Sequence, residues 1–352
     1  MNNHFEASSD KYGAIDHVGA YASAVLNGGI VAGPHVRNAC LRHINDLAFG
    51  EARGWYFDVA EAQRAIAFFP QWYRLRTGLN RGEPFTLLPW QAFVVGSLCG
   101  WKNSATGHRR FNKAYIETST GNGCSTLVTV LGLYLLLTEK SPTPEIYSVA
   151  HTQEAAKEKH FEAVYAVNNS PLTASITCSV NRGLDGNGVF RSFSYGEPLR
   201  RIKPTTAIIY HCELFNRANL LTKLRKNLNQ TQPLLLVTGR AGKAGSVAHQ
   251  WHCLAKAVLA SEQSDDGYFA FVCSLDEGDD PINDESCWEK ANPSLGHTMV
   301  PEYLRRSIDN WRYGLIDRKV WWRFIAQRNF GRWDDELLNS PLYSPPYKLL
   351  NR

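Results

Sequence analysis

The sequence predicts an α/β fold in which a mostly parallel sheet lies between layers of helices. From residue 109 onward, short apolar runs of strand length alternate with stretches of helical length. The strand-like runs are Lys113–Ile116, Glu145–Val149, Thr206–Tyr210, Pro233–Val237 and Tyr268–Ser274. The helical stretches between them are Ser125–Leu137, Gln153–Val167, Leu220–Asn227 and Ser246–Glu262. Strands that alternate with helices pair in parallel through right-handed crossovers, so a ligand is expected at their carboxyl ends.

The N-terminal part is predicted to be helical. Apolar residues recur every three to four positions in His35–Leu41 and in Val59–Tyr73, with Asp58 placed to cap the second helix. A further helix is expected to open at Leu87–Gln91. Residues 1–30 are small and polar and are expected to be poorly ordered, whereas residues 174–200 suggest hairpin strands at one edge of the sheet.

Composition excludes several classes of protein. The chain has 352 residues, 44% of them hydrophobic, and a formal net charge of +5, which permits an anionic partner without requiring one. Its eight cysteines form no CxxC pair, as is typical of reduced thiols rather than of disulfides or zinc sites. The longest apolar run, Leu127–Leu137, is too short to span a bilayer, and no leader is evident, so we expect a soluble, intracellular protein.

A glycine-rich loop follows the first strand of the sheet. Ala114–Ile116 is strand-like, Leu127–Leu137 is helical, and between them lie the candidate nucleotide-binding residues Gly121, Asn122, Gly123, Cys124, Ser125 and Thr126. In a strand–loop–helix of this kind, backbone amides and the helix N-terminus bind phosphate. Cys124 occupies the place of the usual lysine, and Ser125 stands where a hydroxyl would reach Mg²⁺.

Five stretches, in order along residues 35–335, resemble the large terminase subunit of tailed bacteriophages. They are Leu88-Pro89-Trp90-Gln91 with Gly100-Trp101-Lys102; Arg109-Arg110-Phe111 before Ala114–Glu117; the loop Gly121–Thr126; Gln232–Leu235; and Trp288–Gly296. The resemblance implies a P-loop NTPase of the additional-strand type with a small C-terminal lid, and ATP and Mg²⁺ as cofactors. It also implies double-stranded DNA, a portal protein and a small terminase subunit as partners, in the host cytoplasm.

The resemblance divides the chain into four parts. These are an N-terminal helical segment over 1–80, an ATPase-like core over 81–275, a lid over 276–335 and a tail over 336–352. A nuclease domain normally follows the lid in this family. The sequence ends where that domain would begin, so DNA cleavage is not expected and a separate nuclease subunit is a possible partner.

The nucleotide motifs depart from the family pattern. The family places basic residues at Thr120 and Gly121 and a lysine at Cys124. Its second motif, an apolar strand ending in Asp-Glu, falls on Tyr210-His211 in an ungapped register or on Cys212-Glu213 two residues later. His211 and Glu213 are therefore alternative catalytic candidates, and the Mg²⁺ carboxylate is missing in both registers.

The third motif retains Thr238, a further catalytic candidate, and adds a charge at Arg240 that is either near the strand ends or a solvated loop residue. Because three catalytic charges are altered together, the sequence predicts a packaging-motor domain with weakened or lost ATP hydrolysis. The alternatives are a non-catalytic, terminase-derived binding or scaffold protein and, remotely, a thiol enzyme that uses Cys124 and His211.

Other candidate contacts have structural alternatives. By resemblance, Trp90 and Gln91 contact adenine, although they could equally be a helix-capping or core pair. Arg109 and Arg110 could contact phosphate, DNA or a neighbouring subunit, or form a solvated surface. A long basic helix predicted at 301–330 could touch DNA phosphates or pack its tryptophans on the core.

Overall fold

The computed structural model describes residues 15–78, 80–139, 141, 144–170, 177–179, 183–185, 188–195, 203–215, 219–228, 232–315 and 327–333. Four helices open the described chain: α1 (His17–Leu26), α2 (Pro34–Phe49), α3 (Val59–Trp72) and α4 (Pro89–Gly100). A two-stranded antiparallel ribbon, β1 (Trp55–Phe57) with β2 (Trp101–Asn103), joins them.

Helix α1 corrects the expectation of poor order for the described part of residues 1–30, while residues 1–14 lie outside the described residues. Its buried side chains, Val18, Tyr21, Ala22 and Val25, follow the three-to-four spacing of an amphipathic helix. The Asp16 side chain accepts a hydrogen bond from the Gly19 amide and so caps the first turn. The predicted cap of α3 is confirmed, because Asp58 accepts a hydrogen bond from the Glu61 amide.

An eight-stranded sheet forms the centre of the molecule. Its strands are β3 (Lys113–Glu117), β4 (Glu145–Ala150), β5 (Thr177–Ser179), β6 (Gly183–Asp185), β7 (Val189–Ser194), β8 (Thr206–Ile209), β9 (Leu234–Gly239) and β10 (Tyr268–Val272). The order is β10-β3-β9-β8-β4-β7-β6-β5, in which the first six are parallel and the last two pair antiparallel. Strand β9 lies between β3 and β8, so the predicted α/β fold of the additional-strand type is confirmed.

The helices that follow the strands match the predicted stretches. They are α5 (Cys124–Thr138), α6 (Gln153–Asn168), α7 (Asn219–Asn227) and α8 (Val247–Leu259). Helix α5 is buried along almost its whole length and contacts β4 and β8, whereas α8 contacts β3 and β10. Because β3, β9 and β8 are parallel neighbours, their carboxyl ends meet where α5 begins.

A smaller group of helices follows β10. It comprises α9 (Trp288–Ala291), α10 (Pro301–Arg312) and α11 (Gln327–Phe330), and it has a hydrophobic core of its own around Trp288, Leu304 and Phe330. The prediction of one continuous helix over 301–330 is wrong, since α10 ends at Arg312 and Gly314 has a φ of 68°. The remaining basic residues of that prediction, between 316 and 326, lie outside the described residues, as does the tail from 334.

One hydrophobic core joins the N-terminal helices to the sheet. The Trp90 ring of α4 stacks on Phe271 of β10, and Phe93 contacts both Phe269 and Phe271. Helices α1 and α2 contribute Val18 and Val36 to the same cluster. Within the described ranges, none of the helices has the length and apolar character needed to cross a bilayer.

Candidate functional site

A cavity of about 280 Å³ lies at the carboxyl ends of β3, β8 and β9. Its described lining residues are Thr118, Ser119, Thr120, Gly121, Asn122, Gly123, Cys124, Ser125, Thr126, His211, Thr238, Gly239 and Arg240. The structure therefore brings together the predicted glycine-rich loop and parts of the second and third motifs. This is the strand-end position where a parallel sheet is expected to bind ligands.

The loop leaves its amides available for an anion. Gly121 and Gly123 have φ angles of +91° and +79°, which side-chain-bearing residues adopt with strain. Among the described residues, no hydrogen bond uses the N–H groups of Gly121, Asn122 or Gly123. The first N–H groups of α5 also lack intrahelical acceptors, as at every helix start. A phosphate here would meet several donors and the positive end of the α5 dipole.

Asn122 connects the loop to the C-terminal helices. It is 1% exposed, and its Nδ2 donates to the Ser119 carbonyl at 2.9 Å and to Asn292 Oδ1 at 3.2 Å. Its Oδ1 accepts the Ser294 N–H at 3.0 Å, and its carbonyl accepts the Ser294 hydroxyl at 3.0 Å. The segment that served as a family signature in the sequence thus fixes the shape of the loop.

Two further contacts close the C-terminal helices over the loop. The Thr120 N–H donates to the Arg328 carbonyl at 2.7 Å. The Thr298 hydroxyl donates to the Gly121 carbonyl at 2.8 Å, and a Cβ on Gly121 would lie 2.7 Å from the Met299 side chain. The C-terminal helices therefore pack against the loop, and the Thr120 amide is already hydrogen-bonded to a protein carbonyl.

Trp90 and Gln91 lie beneath the loop rather than along the cavity. Both are 1% exposed. Gln91 Oε1 accepts the Leu88 N–H at 2.9 Å, and Trp90 Nε1 donates to the Ser294 hydroxyl at 2.9 Å. The structure shows them in the capping and core roles that were the alternative, while their contact with adenine stays a prediction.

The pKa of Cys124 is shifted in the direction opposite to that of a reactive thiol. Burial raises the pKa of Cys124 to about 12, and a hydrogen bond with Thr118 offsets only part of that effect. Nucleophilic cysteines have lowered pKa values because the thiolate is the reactive form. The described side-chain contacts of His211 are with Ser125, 3.3 Å from its Nε2, and with Glu213, 3.4 Å from its Nδ1, and none of them is with Cys124. The geometry therefore contradicts the thiol-enzyme alternative.

His211, not Glu213, faces the loop. The backbone of His211 is left-handed, with φ at 55°, and its side chain lines the cavity. Glu213 is not among the lining residues, and its side chain is only 6% exposed. Tyr210 is buried and shares a hydrogen bond of 2.7 Å with Thr129. This arrangement favours the ungapped register, with Tyr210 and His211 in the Asp-Glu positions.

Thr238 and Arg240 follow β9 into the same cavity. Thr238 Oγ1 donates to the Ile209 carbonyl at 3.2 Å and accepts the His211 N–H at 3.3 Å, which ties the ends of β8 and β9 together. Arg240 Nη1 donates to Thr120 Oγ1 at 3.0 Å, and its Nε lies 2.9 Å from Glu213 Oε1. Burial lowers the pKa of Arg240, against the opposing effect of Glu213. Arg240 is therefore a residue of the cavity and not a solvated loop residue.

Arg109 and Arg110 lie at the other end of β3. Arg109 pairs with Glu139 at 2.9 Å, and its side chain is 7% exposed. Arg110 is fully buried and pairs with Asp46 at 2.7 Å and with Asp266 at 2.9 Å. Both guanidinium groups are thus held by carboxylates away from the loop, which matches neither phosphate contact nor a solvated surface.

Glu117 is a charged residue of the site region that the sequence reasoning did not single out. It ends β3, is fully buried, and accepts hydrogen bonds from Tyr115 at 2.6 Å and from the Trp333 indole at 3.2 Å. His252 Nδ1 lies 2.9 Å from Glu117 Oε2, the oxygen that also accepts from Tyr115. Burial acts to raise the pKa of Glu117, but His252 and these hydrogen bonds outweigh it and lower the pKa. A carboxylate ending an apolar strand was the available signal.

The residues around the cavity do not suit Mg²⁺. This ion prefers an octahedron of oxygen ligands that includes carboxylates or phosphates. Among the described residues that line the cavity, none is a carboxylate, and the Ser125 hydroxyl faces an imidazole. The described part of the chain also contains no group of three His, Cys, Asp or Glu residues able to hold a metal.

Comparisons with known proteins agree with this geometry. Residues 89–252 match the model of the family "Terminase large subunit, ATPase domain". No curated protein matches the chain. The large terminase of bacteriophage HK97 is similar in structure, with a TM-score of 0.64 and 20% identity over 77% of this chain and 55% of that one. At this identity the likeness shows the fold, and the chain spans about 55% of the length of that terminase.

Two other solved structures are more distant. The ATPase domain of the Thermus phage P74-26 large terminase has a TM-score of 0.42 and 11% identity, over 64% of this chain and 91% of that one. The large terminase of the thermophilic bacteriophage D6E in complex with ADP has a TM-score of 0.40 and 8% identity, over 63% and 48%. The fold, the order of the motifs and the family match over residues 89–252 together support a terminase large subunit ATPase domain in this part of the chain.

Proposed function

We propose that this protein is a nucleotide-binding domain of the DNA-packaging motor type whose ATP hydrolysis is weakened or lost. The observation that carries the proposal is the composition of the cavity. It retains the phosphate-binding amides of Gly121–Gly123, but the residues that line it among those described include no lysine and no carboxylate. The cavity thus keeps the groups that bind phosphate, but other residues replace the groups that catalyse phosphoryl transfer.

Three replacements act on the same chemical step. Phosphoryl transfer depends on a lysine over the β/γ phosphates, a carboxylate for Mg²⁺ and a residue that positions the attacking water. Cys124, Tyr210 and His211 stand in those places, and Tyr210 is already bonded to Thr129. Since loss of one oriented charge typically costs about 3 kcal/mol of transition-state stabilisation, the three together should abolish most turnover.

The partners follow from the family. We expect ATP as the nucleotide, double-stranded DNA as the polymer, and a portal protein and a small terminase subunit as assembly partners in the host cytoplasm. The ATPase-domain match over residues 89–252 supports this set.

A phosphate-release assay with ATP and Mg²⁺, with and without double-stranded DNA, tests the proposal alongside calorimetric titration of ATP. We expect measurable ATP binding and phosphate release at the level of a protein-free blank. Turnover stimulated by DNA would contradict weakened hydrolysis.

A second candidate is a non-catalytic scaffold that keeps the contacts of a terminase with DNA or protein. It is favoured by the contact between the Thr120 N–H and the Arg328 carbonyl, which occupies a loop amide that a phosphate would otherwise use. DNA binding in an electrophoretic mobility assay, with no heat of ATP binding, would select this candidate over the first.

A further inference from the structure

We infer that the cavity binds the phosphate chain of a nucleotide without Mg²⁺, with Arg240 supplying the positive charge. This inference rests on the proposed function, because it assigns the ligand form and the key cation of the same site. It differs from that function in making binding independent of a divalent metal.

The cavity contains a buried polar group that lacks a partner. Ser119 is 3% exposed and lines the cavity, and its Oγ has no hydrogen-bond partner among the described residues. A buried hydroxyl without a partner is destabilising, because nothing replaces the hydrogen bonds with water that it loses on burial. An oxyanion in the cavity would accept from this hydroxyl and from the unused amides of Gly121 to Gly123, so the lining is built for an acceptor ligand.

Arg240 provides the charge that the loop lacks. Among the described residues lining the cavity, it is the one side chain that stays protonated at every working pH. Its Nη1 donates to Thr120 and its Nε faces Glu213, but the described part of the chain gives Nη2 no acceptor. The guanidinium therefore keeps N–H groups for a phosphate without releasing either contact.

Glu213 acts as a positioning residue for that guanidinium. Its side chain is 6% exposed and lies outside the lining, so it holds Arg240 from behind. A divalent ion in the cavity would meet the Arg240 charge and the His211 imidazole, whereas the one carboxylate that faces both groups, Glu213, lies outside the described lining. The same arrangement that suits a phosphate oxygen thus opposes Mg²⁺.

Calorimetric titration of the full chain with ADP, in EDTA and then in Mg²⁺, tests the inference. We expect ADP to bind in EDTA at least as tightly as in Mg²⁺, and we expect competition by pyrophosphate in EDTA because the phosphates carry the recognition. Arg240→Gln should weaken ADP binding in EDTA about tenfold, the effect of losing a charged hydrogen bond. Lys243→Gln, the same charge change at an exposed site on the same loop, should bind like the parent.

Arg240→Gln leaves the buried Glu213 carboxylate without its cation and could therefore destabilise the fold. A second variant controls for this effect. The double variant Arg240→Gln/Glu213→Gln keeps a neutral pair and should show the same tenfold loss, and thermal unfolding followed by circular dichroism checks both folds.

Three outcomes would overturn the inference. ADP binding that requires Mg²⁺ would overturn it and leave the proposed nucleotide site intact. Equal weakening by Arg240→Gln and Lys243→Gln, or unchanged affinity in the double variant, would overturn the role of Arg240. No ADP binding in either buffer would overturn the proposed nucleotide site, and the inference with it.

Discussion

Ser294 reaches Asn122, 172 residues earlier in the chain, through two hydrogen bonds of 3.0 Å. One runs from its N–H to the Asn122 side chain and the other from its hydroxyl to the Asn122 carbonyl. The glycine-rich loop is therefore held in shape by the C-terminal helices, independently of any charge on the loop.

Asn122→Ala should lower the free energy of unfolding by about 3 kcal/mol, because it leaves the Ser294 N–H and the Asn292 side chain without their buried partner. Urea unfolding followed by tryptophan fluorescence measures the change. Asn45→Ala, on the exposed face of α2, is the matched control and should change stability by less than about 0.5 kcal/mol. Equal effects of the two substitutions would contradict a structural role for Asn122.

Cys124→Lys alone should not restore ATP hydrolysis. The lysine would supply charge at the loop, but Tyr210 would remain bonded to Thr129 and His211 would remain where a carboxylate is needed. Phosphate release with DNA present should stay at background, as in Cys253→Lys, which adds the same charge at an exposed cysteine of α8. Turnover in the first variant but not in the second would show that the second motif is not the obstacle.

Cys124 should react slowly with iodoacetamide at pH 8, since burial raises its pKa to about 12 and leaves little thiolate. Cys253 is exposed and serves as the internal reference. Peptide mass spectrometry should show labelling of Cys124 at least about a hundredfold slower than that of Cys253. Comparable rates for the two cysteines, or rapid labelling of Cys124 at pH 6, would revive the thiol chemistry that the geometry opposes.

Acid should destabilise the protein through His43. Burial lowers the pKa of His43 from its usual 6.5 to about 4, and its Nδ1 accepts the Trp101 indole N–H at 3.1 Å, which requires an unprotonated nitrogen. Between pH 6.5 and pH 4, His43 is protonated in the unfolded chain but stays neutral in the folded one. The stability is therefore fully present above pH 6.5 and is lost as the pH falls toward 4, by up to about 1.4 kcal/mol per pH unit.

His43→Gln should flatten this dependence, which urea unfolding between pH 5 and pH 8 can measure. Some slope should remain, because burial also lowers the pKa of His35 to about 4. His297→Gln, at an exposed position, should leave the slope unchanged. An unaltered slope in His43→Gln would place the acid sensitivity elsewhere.

Local sequence patterns were enough to predict the sheet and the loop. The strand over Lys113–Glu117 and the helix from Cys124 are marked by apolar runs and by the glycines between them, and these signals act over a few residues. Helix α1 carried the same kind of signal in Val18, Tyr21 and Val25, but the surrounding small and polar residues obscured it.

Contacts between distant segments could not be predicted. Nothing near Arg240 in the sequence indicates that it pairs with Glu213 across two strands, and nothing near Trp333 indicates that its indole meets Glu117. The two registers of the second motif are equally compatible with an apolar strand. The position of His211 against Ser125 favours the ungapped register, and this position depends on how the left-handed backbone of His211 turns the chain.

The ion pairs of Arg110 determine which truncated fragments of the protein should fold stably. Asp46 comes from α2 and Asp266 from the turn before β10, so one buried guanidinium joins the first helices to the last strand. A recombinant fragment that starts at residue 81, a natural choice from sequence alone, would keep the arginine and discard one of its carboxylates. Because breaking a buried pair typically costs about 3–5 kcal/mol, we expect the smallest stable version of this domain to include α2.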